Sequence, residues 1–441
     1  MTSDPFSAPS HGALFAPADI RELLSDGRRA AAMVRFEAAL ARANARCGVI
    51  PAAAADEINR ALAEFTPDLA RLGSGTESAG VPVPALVAQL REAVGGPSAD
   101  YVHWGGTSQD AVDSALVLLL RDLLERLDKQ IAELIESLGA LARRHRTTVM
   151  LARTRMQQAV PTTFGLKVIG WRQPLLHSRD RLAELRPRLL FVQLGGAAGT
   201  LAPWGNAGTR VREALADELG LAAPPVPWHT QRDGVVECAG WLSLVTGALG
   251  TMGLDIGLLA QSEVGEVAET SEPGHGGSST LPQKSNPVRS EVLVALARYN
   301  ANALGAMHQA LLHEGERSGA AWSLEWLTLP GMALAAGGAL AQAQHLVFGL
   351  TVDVARMRRN LEATRGLCLA EAAAFALAEH MPRERARALV SDACREAKAG
   401  GEGLIAVLER QTDAPVHWRA VEDPERYLGS AVAMVDAALS A

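Results

Sequence analysis

The chain has 441 residues and a formal net charge of −7 at pH 7, because 49 Asp and Glu outnumber 42 Lys and Arg. This acidic balance argues against a nucleic-acid-binding protein, which needs a basic surface. Hydrophobic residues make up 48% of the chain and aromatic residues only 4%, a balance typical of a folded globular protein. Ala and Leu are strong helix formers and carry most of the apolar content, so the sequence predicts a mostly helical protein.

The cysteines and the N-terminus indicate the cellular compartment. The four cysteines form no CxxC pair, which excludes zinc-ribbon and thioredoxin motifs, and they are Cys47, Cys238, Cys368 and Cys394. Scattered thiols suit a reducing cytosol. No basic segment followed by an apolar one begins the chain, so we expect no secretory signal. Nor does any uninterrupted apolar run predict a membrane span. We therefore expect a cytoplasmic protein.

The first part of the chain, residues 1–105, reads as a helical domain. Apolar residues recur at helical spacing over Ala30–Cys47, and Gly48 follows as a C-terminal stop. The Val81-Pro-Val-Pro sequence predicts a rigid, extended connector.

The middle of the chain, residues 106–350, reads as a bundle of long helices. Three long windows free of Pro lie between Pro227 and Pro273, between Pro287 and Pro330, and between Pro330 and Pro382. A helix of about 40 residues would be about 60 Å long. Glycines at helical spacing in the first window indicate close approach of neighbouring helices, or else a helix broken into pieces. Residues 351–441 change to shorter helices separated by Gly and Pro, so we predict a third, C-terminal helical domain.

A polar loop separates two of these windows. The sequence GHGGSSTLPQKSN runs from Gly274 to Asn286, within a loop that we place at 270–287. Its serines, Lys and Asn offer a nucleophile or base, a cation and an amide, and long loops of this kind carry function. The alternative is a solvated turn in which Gly and Pro serve only as helix breakers.

The same loop carries a family resemblance. GSSTLPQKSNP resembles the signature loop of the fumarase/aspartase superfamily, GSSxMPxKxNP, with Leu281 in place of the usual Met. The HWGGTSQDAVDSA and RTRMQQAVPTT sequences resemble the first and second signature regions of that superfamily, and the resemblance runs from about residue 10 to about residue 430. Four segments closely resemble the bacterial 3-carboxy-cis,cis-muconate cycloisomerase subgroup, and they begin at Val102, Gln193, Pro227 and His313.

The resemblance implies a fold, an assembly and a reaction. The fold is all-α, with three helical domains and five long helices per chain. These helices build a homotetramer around a twenty-helix core, and each active site draws on three subunits. The reaction is the addition of a carboxylate to a double bond of the same molecule, which gives 4-carboxymuconolactone in the breakdown of aromatic compounds. The partner is then a small di- or tricarboxylate.

The signature loop is expected to hold the catalytic groups. By resemblance, Ser278 is the catalytic base, which needs cations and N–H groups to stabilise its alkoxide. Lys284 supplies one charge, and Asn286 binds the substrate or holds the loop. Ser279 is expected to donate a hydrogen bond within the loop or to the substrate.

The first signature region is expected to bind carboxylates. Thr107 and Ser108 precede a helical stretch, and hydroxyls at a helix N-terminus bind anions or simply cap the helix. Gln109 and His103 are further candidates, although a lone His is as often structural.

The second signature region departs from the lyase pattern. Arg155 stands where most lyases of the superfamily have a His that protonates the leaving group, and where cycloisomerases often have Trp. Gln158 replaces a second His of some relatives, and Gln157 is a further binding candidate. Arg stays charged, so it cannot be the general acid but can bind a carboxylate. A carboxylate leaves without being protonated, so this change disfavours amine-releasing lyases and fits either a cycloisomerase or the elimination of another weak base such as nitrite.

Further departures are Gln283 and Ser285, where cycloisomerases usually carry His and Arg or Gln. A tricarboxylate needs several cations, and the candidates are Arg155, Lys284, Arg289 and Arg317. Arg317 could instead form an ion pair within the protein.

No metal or organic cofactor is expected, because His and carboxylates do not cluster at metal-ligand spacing and GGAAG at 195–199 lacks a dinucleotide-binding frame. Three hypotheses remain at this point. The first is a cycloisomerase, the second a lyase that eliminates a weakly basic group such as nitrite from a substituted succinate, and the third a non-catalytic member of the superfamily.

Overall fold

The computed structural model describes residues 4–269, 276–277 and 280–440, and most of these residues are helical. This confirms the predicted all-α class. Short antiparallel strand pairs are the exception. Val149–Thr154 pairs with Gln157–Thr163, and Val267–Ala268 pairs with Thr351–Val352.

The N-terminal part consists of short and medium helices. They are α1 (Gly12–Phe15), α2 (Ala18–Leu23), α3 (Asp26–Arg46), α4 (Ala52–Leu62), α5 (Leu69–Ala79) and α6 (Val83–Val94). The Ser25 side chain caps α3 by accepting a hydrogen bond from the Arg28 amide. The helix ends before Gly48, which has a φ of 74°, so the predicted helix and its stop are confirmed.

The long helices follow, with a hairpin, short helices and a short strand between them. In chain order the elements are α7 (Ser108–Arg144), β1 (Val149–Thr154), β2 (Gln157–Thr163), α8 (Phe164–Leu189), α9 (Gly208–Leu219), α10 (Asp233–Leu259), β3 (Val267–Ala268), α11 (Val288–Gln309) and α12 (Gly319–Gly349). Five of these helices, α7, α8, α10, α11 and α12, have 22 to 37 residues. The expected five long helices are therefore present.

The C-terminal part returns to short elements. They are β4 (Thr351–Val352), α13 (Val354–Glu362), α14 (Ala370–Ala378), α15 (Arg383–Gly400), α16 (Leu404–Gln411), α17 (Trp418–Val421) and α18 (Ala431–Ser440).

Two expectations based on proline were wrong. The Val81-Pro-Val-Pro sequence is not an extended connector, because α6 begins at Val83 and accommodates proline in its first turn, where no backbone N–H is needed. Pro330 does not end a helix either, since it lies inside α12. The break falls earlier, between Gln309 and Gly319, where Gly315 has a φ of 56°. Buried Leu329 and Met332 flank Pro330, and their packing offsets the lost hydrogen bond.

The helix in the first Pro-free window is continuous. α10 spans 27 residues without a break, so it is shorter than the expected 40 residues but is not divided into pieces. The Cβ atom that a side chain at Gly253 would add lies 2.8 Å from the Ser290 carbonyl oxygen and 2.9 Å from the Leu293 Cβ atom. At this position glycine permits the predicted close approach of two helices.

The described chain divides into two compact units. Unit 1 comprises Met1–Ile131, His177–Gly247 and Ala295–Ala341, and unit 2 comprises Ala132–Leu176, Ala248–Val294 and Gln342–Ala441. Within unit 1, α3, α6 and α9 contribute Phe36, Leu86 and Leu215 to a large apolar core. The three-domain division at 105 and 350 stays a prediction.

Two helices, α10 and α12, are long and apolar enough to cross a membrane by length and composition alone. Half or more of each apolar window is buried within the protein, 50% in α10 and 61% in α12, and core helices of soluble proteins pass the same test.

Candidate active site

The first signature region contains the N-terminus of α7. Asp110 lies in the first turn of this helix and is fully buried. Its carboxylate accepts hydrogen bonds from the backbone amides of Thr107 at 3.1 Å, Gly195 at 2.9 Å and Gly196 at 2.9 Å. An acidic side chain is favourable at a helix N-terminus. Asp110 therefore joins the start of α7 to the glycine-rich segment at 195–196.

Arg317 binds the same region. Its guanidinium donates to Gln109 Oε1 at 3.0 Å and to Thr107 Oγ1 at 3.0 Å. It also donates to the carbonyl oxygens of Gly196 at 3.3 Å and Ala197 at 3.2 Å. Four of its five N–H groups are engaged, so the chief contacts of Arg317 hold this loop in shape.

Both polar atoms of the Gln109 side chain bond within the protein. It is buried, its amide nitrogen donates to the His229 carbonyl oxygen at 2.8 Å, and its amide oxygen accepts from Arg317. Thr107 and Ser108 are half-buried at the helix entrance. Unit 1 thus brings together Thr107, Gln109 and Arg317, and Gln109 serves to position its neighbours.

His103 is paired with a carboxylate. The residue has a φ of 64°, and its Nδ1 lies 2.7 Å from Oε1 of Glu37, a buried residue of α3. Burial lowers the pKa of His103, but the charge of Glu37 and its hydrogen bond outweigh burial and raise the pKa above its usual value. The pair fixes the start of the loop that leads to Thr107.

A buried ionic cluster crosslinks three long helices of unit 1. Arg232, just before α10, donates to Asp113 of α7 at 2.7 and 3.2 Å and to Glu325 of α12 at 2.7 and 2.5 Å. All three side chains are at most 1% exposed. Trp322 Nε1 donates to Asp113 at 3.0 Å, and the Trp228 ring stacks on Arg232 with 4.7 Å to the centroid.

Burial has opposite outcomes for the cation and for one carboxylate of the cluster. Burial lowers the pKa of Arg232, but the charges of Asp113 and Glu325 outweigh it and raise that pKa. Burial raises the pKa of Glu325 despite the hydrogen bond from Arg232. Asp113, Arg232 and Glu325 were not predicted from the sequence. The available signal for Arg232 was the polar HTQR stretch immediately before the apolar helix α10.

The second signature region lies at the tip of the β1–β2 hairpin in unit 2. Thr154 pairs with Gln157, so Arg155 and Met156 form a two-residue turn. Their φ values are 49° and 66°. This backbone is the one that Asn-Gly turns adopt without strain, whereas side chains such as Arg and Met cost about 1–3 kcal/mol each there. The strained turn presents Arg155 to solvent, where it is exposed.

The base of the hairpin is anchored. Arg153 donates to both carboxylate oxygens of buried Glu266, at 2.9 and 2.7 Å, and Asn360 Nδ2 donates to Glu266 at 2.8 Å. Gln157 and Gln158 are exposed on the return strand and line a cavity of about 470 Å³ within unit 2. The hairpin therefore has an anchored base and an exposed tip.

The signature loop is described only in part. Ser278 and Ser279 lie outside the described residues. The backbone amide of Asn286 donates to the Gly276 carbonyl oxygen at 2.7 Å, and Gly277 forms a β-bridge with Ser285. Gly276 has a φ of 66°, and an added Cβ atom would lie 2.5 Å from the Asn286 carbonyl oxygen. Lys284 is exposed, and it immediately precedes Ser285 of this bridge.

Arg289 is engaged elsewhere. Its guanidinium donates to Gln342 Oε1 at 2.9 Å, and its backbone amide donates to Glu269 at 3.0 Å. The first contact joins the start of α11 to α12, and the second joins it to the residue after β3, both within unit 2.

Comparisons with known proteins give the family. The chain matches the family model described as Lyase over residues 20–299 and the model described as Adenylosuccinate lyase C-terminus over residues 366–438. The chain belongs to the fumarase/aspartase superfamily of lyases. A Pseudomonas aeruginosa protein named 3-carboxy-cis,cis-muconate cycloisomerase is 46% identical over 97% of this chain and 95% of its own.

Two further relatives of this lyase bear on its reaction. A solved structure of 3-carboxy-cis,cis-muconate lactonizing enzyme from Pseudomonas putida is 43% identical and has a TM-score of 0.91, covering 97% of both chains. A Streptomyces davaonensis protein named nitrosuccinate lyase is 38% identical over 95% of this chain and 92% of its own.

The His103–Glu37 pair predicts a pH-dependent stability. Because the folded-state pKa of His103 is raised, the pair stabilises the lyase fully below the ordinary His pKa of about 6.5, and this stabilisation is lost as the pH rises through the raised pKa. His103→Asn, which tolerates the positive φ, should therefore lower the thermal midpoint most at acidic pH. Midpoints measured from pH 5 to 9 test this, with His380→Asn as a control for loss of an exposed imidazole. A deficit that is constant across this range would contradict the prediction.

The buried cluster predicts a large loss of stability. Arg232→Met leaves Asp113 and Glu325 buried without their cation, which costs about 3–5 kcal/mol. The deficit should shrink as the pH falls, because burial raises the pKa of Glu325 and its protonation removes one of the unpaired charges. Denaturant unfolding measures the loss. Arg188→Met, which removes an exposed pair with Glu237, is the matched control and should leave the midpoint nearly unchanged. Equal losses in both variants would show that the cluster has no special weight.

Proposed function

We propose that this lyase-superfamily enzyme is a cytoplasmic 3-carboxy-cis,cis-muconate cycloisomerase. The observation that carries the proposal is the nearly full-length similarity to proteins named cycloisomerases, and Arg155 at the position of the leaving-group acid is compatible with it. A carboxylate is the nucleophile in lactone formation and the leaving group in the reverse reaction, so no acid is needed at that oxygen.

The proposed chemistry is balanced by one proton. The distal carboxylate of the muconate trianion adds to a double bond, and a new C–O bond forms. The electron pair moves onto the carbon next to another carboxylate, giving an aci-carboxylate, which is then protonated at carbon. The product lactone keeps two carboxylates, so one proton is consumed per turnover. In the reverse direction, Ser278 is the base that removes this proton.

The roles of the other residues are proposed from their chemistry. Lys284 and Asn286 stabilise the Ser278 alkoxide and the developing negative charge. Thr107 and Ser108, at the N-terminus of α7, bind a substrate carboxylate. Arg155 binds another carboxylate in bidentate fashion. Gln109 and Arg317 are proposed to support Thr107, and the bonds from Arg317 to Gln109 and to the Thr107 hydroxyl support this role. His103, Gln157 and Ser279 are additional binding candidates.

The proposed assembly is a homotetramer with active sites shared by three subunits. The resemblance to the superfamily supports it, and the exposed tip that carries Arg155 fits a residue that serves a neighbouring subunit. Sedimentation equilibrium tests the assembly, because the tetramer has four times the mass of the chain.

A second candidate is a lyase that releases nitrite from nitrosuccinate. Arg155, Gln158, Gln283 and Ser285 depart from the cycloisomerase pattern, and a nitrosuccinate lyase is among the relatives. Incubation of the enzyme with each substrate separates the candidates. Loss of the diene absorbance with lactone formation supports the cycloisomerase, whereas nitrite release with inert carboxymuconate supports the lyase.

If the enzyme converts neither substrate, both proposals are contradicted. A non-catalytic role is addressed by Ser278→Ala, which should abolish whichever activity the wild-type enzyme shows.

The proposed role of Arg155 predicts a binding defect. Arg155→Gln removes a charge-assisted bidentate contact, which is worth about 1.5–3 kcal/mol, so KM for carboxymuconate should rise about 10- to 100-fold. The turnover number should change less, because Arg155 transfers no proton. Arg358→Gln, which removes an exposed arginine of α13 in the same unit, is the control. A fall in kcat at unchanged KM would instead assign Arg155 to the chemical step.

A further inference from the structure

One histidine outside the signature regions is built into the entrance of α7. His229 lies in the segment before α10 and is 4% exposed. Its Nε2 lies 2.8 Å from Asp110 Oδ1. A carboxylate at this position can only accept, so Nε2 carries the proton and donates.

His229 completes the hydrogen bonding of Asp110. Oδ1 accepts from His229 and from the Gly195 amide, and Oδ2 accepts from the amides of Thr107 and Gly196. Four donors fill the carboxylate's acceptor positions. Because the rotamer of Asp110 decides where the three backbone segments meet, the imidazole that fixes this rotamer also fixes the segments.

The backbone of His229 acts on the same helix. Its carbonyl oxygen accepts from Gln109 Nε2 at 2.8 Å. The imidazole also packs against Gly195, where an added Cβ atom would lie 2.7 Å from His229 Cε1. One residue therefore sets two consecutive side chains of α7 and the glycine segment opposite them.

The effect reaches the proposed carboxylate site through a chain of three hydrogen bonds. Asp110 holds Gly196, whose carbonyl oxygen accepts from Arg317. Arg317 in turn donates to the Thr107 hydroxyl. A displacement of Asp110 would therefore move both Thr107 and Arg317, and a 1 Å misplacement of a binding group can cost about 100-fold in rate.

We infer that His229 is a positioning residue, which holds Asp110 so that Thr107 and the N-terminus of α7 are preorganised for a substrate carboxylate. The inference rests on the proposed function only for the identity of the substrate. The link from His229 through Asp110 to the glycine segment stands on the contacts alone.

The variants separate positioning from packing. His229→Leu fills the space without a donor, and His229→Gln places an amide N–H near the position of Nε2. His145→Leu is the matched control, because His145 is a buried imidazole of unit 2 whose side-chain partner among the described residues is the nearby Thr148. If the Leu variant fails to fold, His229→Asn replaces it, since its shorter amide does not reach Asp110.

Two readouts test the inference. In His229→Leu, KM for carboxymuconate should rise about tenfold or more while kcat per folded enzyme changes less, and His229→Gln should restore KM to within about threefold of wild type. Amide hydrogen exchange in the 193–198 peptide should accelerate in the Leu variant and return in the Gln variant. The control should change neither.

The outcomes distinguish this inference from the proposed function. Unchanged KM and exchange in a folded His229→Leu variant, or a Gln variant as impaired as the Leu variant, would overturn the positioning role. If the wild-type enzyme leaves carboxymuconate unchanged, the proposed function fails, while the exchange measurement still decides whether His229 holds the glycine segment.

Discussion

The interaction on which unit 1 depends is the buried salt bridge of Arg232 with Asp113 and Glu325. It joins the start of α10 to α7 and α12, and its three side chains are at most 1% exposed. A buried ion pair is seldom more stabilising than an apolar substitute, but removing one partner is costly. Here the salt bridge fixes geometry, because the bidentate contacts of one guanidinium hold three helices at defined positions along their axes.

The site loop is built on these fixed helix ends. Asp110 lies one turn before Asp113 on α7, and His229 lies three residues before Arg232. The segment that carries Arg317 leads directly into α12, which contains Glu325. The helices that the ionic cluster aligns are thus the same helices that present Thr107, His229 and Arg317. The cluster and the loop network form one connected polar structure inside unit 1.

Much of the fold could be predicted from the sequence. The Ala- and Leu-rich composition indicated helices, glycine marked the end of α3, and ordered motifs identified the family. Proline misled, because a helix tolerates it in the first turn, as in α6, and in a well-packed interior, as at Pro330. Both exceptions depend on position and packing, which a pattern of single residues does not contain.

The predicted site residues divide by physical role. The motifs drew attention to Thr107, Gln109 and Arg317, which the structure places in contact, although Gln109 and Arg317 are engaged mainly with the protein. Their part in substrate binding stays a prediction. Asp110 and His229 were not predicted as site residues, because their importance depends on contacts across more than 80 residues of sequence. The roles of Ser278, Lys284 and Arg155 remain proposals, carried by the superfamily resemblance.

As the proposed cycloisomerase, the chain joins a carboxylate to a double bond rather than expelling a leaving group. The most direct test is the proton balance of the reaction in weakly buffered solution, followed in a pH-stat together with diene absorbance. Cyclisation of 3-carboxy-cis,cis-muconate predicts the uptake of one proton per diene lost, and no change with the Ser278→Ala variant. Proton release from nitrosuccinate with nitrite formation, and no proton uptake with carboxymuconate, would contradict the account.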